Sequence, residues 1–208
     1  MTSHAAAVAH GHAHRDDVGT KLGMWLFLFT ELILFGGMFI IYAVYRFSYP
    51  TEFRLAATEL DTLVGTVNTI ILLTSSLTVA MSITAIQEGK KWLSFVLVAI
   101  TIALALAFLV NKYFEWGHKI AVGLYPRSPE LLSRPAGEIL YFGLYYVMTG
   151  LHALHVIIGA VILAVMMVFL AKGTINKHSY VRLEVGALYW HLVDIIWIFL
   201  FPLFYLLQ

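Results

Sequence analysis

The run ILYFGLYYVMTGLHALHVIIGAVILAVMMVFLA, residues 139–171, contains no Lys, Arg, Asp or Glu. A helix that crosses about 30 Å of hydrocarbon needs about 20 apolar residues at 1.5 Å each. The run is longer than that, which predicts a spanning helix that tilts or extends past the membrane surface. Its apolar residues are continuous, so it does not read as the ~10-residue alternation of a membrane β-strand. A backbone in hydrocarbon must satisfy its own hydrogen bonds, which leaves the helix.

Four further segments read the same way, at residues 22–45, 62–87, 92–114 and 186–207. The fold class predicted is an all-α, polytopic membrane protein with five transmembrane helices in one domain over 22–207, preceded by a polar tail over 1–21. The bulk numbers agree: 61% of residues are hydrophobic and 12% charged, mean hydropathy is +0.85, and soluble domains carry about 25% charged residues. The net charge of +1 gives no basic surplus to attract nucleic acid. There are no cysteines, which removes disulfides, iron–sulfur ligation, covalent haem attachment and thiolate copper sites.

Turn residues punctuate the spans. Glu88-Gly89-Lys90-Lys91 reads as a tight turn, and the stretch from about Lys112 to Glu138, with Pro126, Pro129 and Pro135, reads as the longest loop. No internal repeat of useful length is present, against an inverted-repeat transporter. Arg15, Lys21, Lys90, Lys91, Lys172, Lys177 and Arg182 fall on one side of such a chain, and the acid-rich loops on the other. The short, cation-dense turns predict a cytoplasmic N-terminus and an outside C-terminus. The tail carries His4, His10, His12 and His14 among small residues and reads as retained, because the apolar stretch behind it is too long for a signal-peptide core.

Ionisable groups inside spans cost roughly 2.5–3.5 kcal/mol each at mid-bilayer and so single themselves out. Glu31 lies in the first span, His152 and His155 in the fourth, and His191 and Asp194 in the fifth. The two i, i+3 pairs each share a helix face. Counted from the inner ends of their helices, Glu31 at about 15 Å and Asp194 at about 12 Å share a depth, with the His pair nearer mid-membrane. Each has a structural reading and a chemical one. Glu31 either packs its helix through a hydrogen bond or relays protons. His152 and His155 are either satisfied core histidines or ligands, although a metal wants three or four convergent donors and no carboxylate accompanies them. His191 and Asp194 read as a local His–carboxylate pair, and the His-rich tail as a solvated tail or a proton collector.

Several segments, taken in order, resemble the cytochrome c oxidase subunit III family. They are Leu28-Phe29-Thr30-Glu31-Leu32-Ile33-Leu34-Phe35, Val67-Asn68-Thr69-Ile70-Ile71-Leu72-Leu73-Thr74-Ser75-Ser76 and Lys112-Tyr113-Phe114-Glu115-Trp116. The most specific are Gly150-Leu151-His152-Ala153-Leu154-His155-Val156-Ile157-Ile158-Gly159 and the close from Glu184 to Trp197 with its Tyr189-Trp190-His191-Leu192-Val193-Asp194 core. The match runs from about residue 22 to 207 and is to the short, five-helix bacterial form. The resemblance implies a noncatalytic subunit of a proton-pumping, dioxygen-reducing respiratory oxidase in the bacterial cytoplasmic membrane. Such a subunit holds no cofactor of its own. Haem and copper belong to its direct partner, subunit I, with subunit II and other oxidase subunits in the same complex and phospholipid bound. It also makes Glu31 the family's reactive carboxyl and Glu115 the acid closing the third span.

Four alternatives remain open. The resemblance extends to the same subunit of quinol oxidases and of nitric-oxide-reductase-associated complexes. A chain of another class would be a small proton or ion carrier using Glu31 and Asp194, and a membrane cytochrome b would use His152, His155 or His191 as haem ligands. If the tail collects protons at an inner-face uptake entrance, deleting residues 4–14 slows oxidase turnover mainly at high pH. A variant whose pH profile matches the intact protein excludes that role.

Overall fold

The computed structural model describes residues 17–207. The architecture is all-α, with five helices long and apolar enough to cross a membrane and two short surface helices. The order is α1 (Asp17–Ser48), α2 (Pro50–Thr58), α3 (Thr62–Gln87), α4 (Lys91–Ala121), α5 (Pro129–Leu132), α6 (Ala136–Ala171) and α7 (Val181–Tyr205). No strand forms among the described residues; a single bridge pairs Asn176 with Ser179.

The helices start and stop where local chemistry permits. Asp61 caps α3 by accepting from the backbone N–H groups of Leu63 (2.9 Å) and Val64 (3.3 Å). Gly89 turns α3 into α4 at φ 81°, a conformation that costs an L side chain about 1–2 kcal/mol. Beside it Lys90 pairs with Glu88 at 2.7 Å, and this ammonium holds the Glu88 carboxyl below the usual carboxylate range. Gly123, also at φ 81°, ends α4 with Leu124 N–H closing on Lys119 O at 2.9 Å.

Three expected boundaries differ by five residues or more. The first helix is already formed at Asp17, the first described residue, ahead of the expected 22, and Lys21 within it pairs with Glu184 of α7 at 2.8 Å. The last helix begins at Val181 instead of 186, with Leu183 buried and Arg182 over the Phe169 ring of α6 at 5.4 Å. The largest shift is in α4, expected to end near 114. It continues to Ala121 because Lys112, Glu115 and Lys119 lie at helical spacing on its buried face and find partners there. Their charge looks like a loop in the sequence; in the fold they face inward.

α7 is the hub. Of its most apolar stretch 56% is buried, against 11% for α1 and 33% for each of the other spans. Its Trp190 Nε1 donates to Ser75 Oγ and its Trp197 Nε1 to Thr69 Oγ1, each at 3.0 Å, so hydroxyls of α3 hold both indoles. At its C-terminus the carbonyls left without helical partners accept from three other helices. Tyr42 of α1 donates to Leu203 O, Tyr141 of α6 to Phe204 O at 2.7 Å, and Thr62 of α3 to Tyr205 O at 3.2 Å.

Two glycines allow α7 to come this close. A Cβ on Gly159 of α6 would lie 2.8 Å from Trp190 Cε3, and one on Gly65 of α3 would lie 2.8 Å from Tyr205 Cδ1. Gly159→Leu should therefore destabilise the purified protein by about 1–3 kcal/mol through overpacking against a rigid indole. Gly36→Ala in α1, with nothing within 4 Å of the added carbon, should leave the melting temperature unchanged or raised. Equal melting temperatures for the two variants would contradict the packing account.

Candidate functional site

Glu31 of α1 meets His155 of α6, with Oε2 and Nε2 2.9 Å apart and side-chain exposures of 13% and 9%. His155 Nδ1 lies 2.8 Å from Leu151 O, the carbonyl one turn earlier in α6. A carbonyl only accepts, so Nδ1 carries a hydrogen. The contact at Nε2 then requires one more proton, held either by the carboxyl or by the ring. In both cases the pair has no net charge, which is the form that hydrocarbon tolerates best. Phe35 meets the His155 ring edge-on at 5.3 Å, and Tyr189 of α7 stacks on it at 6.5 Å and donates to His155 O at 3.3 Å.

The expected depths change accordingly. Glu31 sits level with His155, not below it, as their direct contact requires. The two histidines also part company. His152 is fully buried between Phe108 of α4 at 5.6 Å and Trp197 of α7 at 5.2 Å, and neither ring nitrogen has a hydrogen-bond partner among the described residues. The expected local pairing of His191 with Asp194 does not form. His191 Nδ1 turns to Ser76 Oγ of α3 at 2.6 Å, while Asp194 is buried near the same Ser76, neither carboxylate oxygen meeting full hydrogen-bond geometry with a described residue. Buried atoms of this kind are ordinarily satisfied by ordered water or a neighbouring chain.

A second polar centre surrounds Glu115. Lys112 Nζ reaches Glu115 Oε2 at 3.2 Å, with side-chain exposures of 3% and 5%, and donates to the hydroxyls of Tyr145 at 3.2 Å and Tyr205 at 2.8 Å. Both tyrosines donate to Glu115 Oε1. The ammonium also lies 5.3 Å from the Trp197 ring centroid. One ion pair on α4 thus fastens α6 and α7. Glu115 was legible as an acid at the end of a span; Lys112, Tyr145 and Tyr205 were missed. The spacing Lys112, Glu115, Lys119 on one face was the available signal.

No group of three or more His, Asp or Glu side chains among the described residues is placed to hold a metal ion. His155, His191 and His152 each face different neighbours. His4, His10, His12 and His14 lie outside the described residues.

The sequence profile described as "Cytochrome c oxidase subunit III" matches residues 2–208. The chain is 32% identical to "Cytochrome c oxidase subunit 3" of Thermostichus vulcanus, across 100% of this chain and 96% of that one. It is 33% identical to "Cytochrome bo(3) ubiquinol oxidase subunit 3" of Pseudomonas putida, over 93% of this chain and 88% of the relative. It is likewise 33% identical to part of "Heme-copper oxidase subunit I+III" of Aeropyrum pernix, over 96% of this chain and 24% of the relative. Five apolar helices, an acid of the first held by a histidine of the fourth, and a match over nearly every residue place the chain in the cytochrome c oxidase subunit III family.

Proposed function

We propose that this chain is the noncatalytic third subunit of a respiratory haem-copper oxidase in the bacterial cytoplasmic membrane, with its N-terminus inside and its C-terminus outside. It sits directly against subunit I, which holds the haem and copper, in a complex that includes subunit II, other oxidase subunits and phospholipid. The observation that carries this reading is the Glu31–His155 contact. An acid and a base spent on each other, with no net charge, fasten the least buried span to the bundle. That is how a scaffold uses an ionisable pair. The Aeropyrum relative, named as a fusion of subunits I and III, supports the choice of neighbour.

The role of the chain is then to keep subunit I active through repeated turnover while taking no part in oxygen chemistry. Replacing Glu31 with Gln or Ala should leave the initial rate near that of the intact enzyme and shorten its catalytic lifetime. Loss of the initial rate with haem content intact would contradict this.

The Pseudomonas relative, a quinol oxidase subunit of similar identity, favours a second reading in which the same scaffold serves a quinol oxidase. Turnover with reduced cytochrome c against turnover with a quinol separates the two.

The Lys112–Glu115 centre fits the same scaffold role. Lys112→Met alone leaves a buried carboxylate unpaired and should cost about 3–5 kcal/mol, whereas Lys112→Met with Glu115→Leu should recover most of that loss. Thermal denaturation of the complex checks both, and a double variant no more stable than the single one would exclude the pairing.

A further inference from the structure

α7 packs against α1, α3 and α6, but α1 and α3 are not neighbours of each other. A strip of α7 therefore lies open between them, marked at helical spacing by His191, Ile195, Ile198 and Phe199. The last three are 47%, 43% and 55% exposed, and His191 is partly buried. At 1.5 Å per residue His191 stands about 15 Å along α7 from Val181, the middle of about 30 Å of hydrocarbon.

At that depth one nitrogen stands out. The exposed hydroxyls of Thr30 and Thr74 are already used, donating to Phe27 O at 2.7 Å and Ile70 O at 2.8 Å on their own helices. His191 has its Nδ1 at Ser76 Oγ of α3, 2.6 Å away. Its Nε2, on the far side of the ring, is neither enclosed nor met by a described residue. A contact that only packs α7 on α3 needs one ring nitrogen, and the second is left facing out.

The hydrogens show what that nitrogen offers. Asp194 lies buried beside the same Ser76, so the hydroxyl stands between a carboxyl and an imidazole. Hydrocarbon favours forms without net charge. Two such forms leave no buried hydrogen without an acceptor. In one the carboxyl keeps its proton and donates to Ser76, and the hydroxyl donates to Nδ1. In the other the ring holds that proton, Nδ1 donates to the hydroxyl, and the hydroxyl donates to the carboxylate. Nε2 carries a hydrogen in both. The strip thus presents a donor at mid-membrane, where lipid tails hold no acceptor.

We propose that this strip of α7 is the seat of subunit I. A membrane helix of subunit I packs on Ile195 and Ile198 and brings an oxygen acceptor, from a hydroxyl, a carboxyl or a backbone carbonyl, to His191 Nε2. A second copy of this chain, related by two-fold symmetry, would set one donor against another and match neither. This docking rests on the reading of the chain as a third subunit and adds the face and the contact that join it.

Photo-cross-linking in the intact complex tests it. Benzoyl-phenylalanine in place of Ile195 should join this chain to a membrane helix of subunit I, located by peptide mass spectrometry. The same probe in place of Leu106, 54% exposed on α4, which is no neighbour of α7, should not reach that helix. His191→Leu should lower the share of this chain retained on the solubilised complex about three- to tenfold, the loss of one membrane hydrogen bond. His191→Gln keeps an N–H and should restore most of it, and Ser76→Ala, which removes only the inner contact of the ring, should retain the chain. An Ile195 probe that marks lipid, a second copy or another subunit while subunit I is present overturns the docking face. Equal loss from Ser76→Ala and His191→Leu overturns it too, because the ring would then serve only the bundle. If no haem-bearing subunit accompanies the intact chain, the third-subunit reading falls and the docking with it.

Discussion

Inside hydrocarbon a polar side chain has no water to fall back on, and the joints of this bundle lie where such groups find partners on another helix. The contacts fall in three groups. Glu31 and His155 join α1 to α6; Ser75, Thr69 and Ser76 of α3 hold Trp190, Trp197 and His191 of α7; Lys112 and Glu115 of α4 gather Tyr145 and Tyr205. Around them the packing is apolar and close, with Gly159 and Gly65 admitting aromatic rings against the backbone. Hydrophobic burial cannot drive helices together when lipid tails are equally apolar, so these directed contacts and close fits specify the bundle.

Much of this was readable from residue order. Continuous apolar runs gave the five spans, because hydrocarbon thickness sets a length that few soluble helices reach. Glu31, His155 and Glu115 stood out because an ionisable group in a span demands a reason. What stayed hidden was partnership. The i, i+3 spacing of His152 and His155 suggested a shared environment, yet one meets α1 and the other lies between α4 and α7. Spacing along one helix fixes a face; it does not say which neighbours that face divides between. Lys112 was hidden for a different reason. Its charge resembled loop, and only the tyrosines of two distant helices make it affordable inside.

The functional reading grows from the same contacts. Groups that could have formed a conduit or a ligand set are distributed among separate helix junctions, and the acid most suggestive of proton chemistry is matched by a histidine on the opposite helix. The chain's family is that of oxidase third subunits.

The most direct measurement is a reduced-minus-oxidised difference spectrum recorded twice, on the complex isolated through a tag on this chain and on the chain after dissociation from it. The account predicts a haem band in the complex, travelling with a co-purifying larger subunit, and none in the isolated chain. A haem band that stays with this chain alone would contradict it.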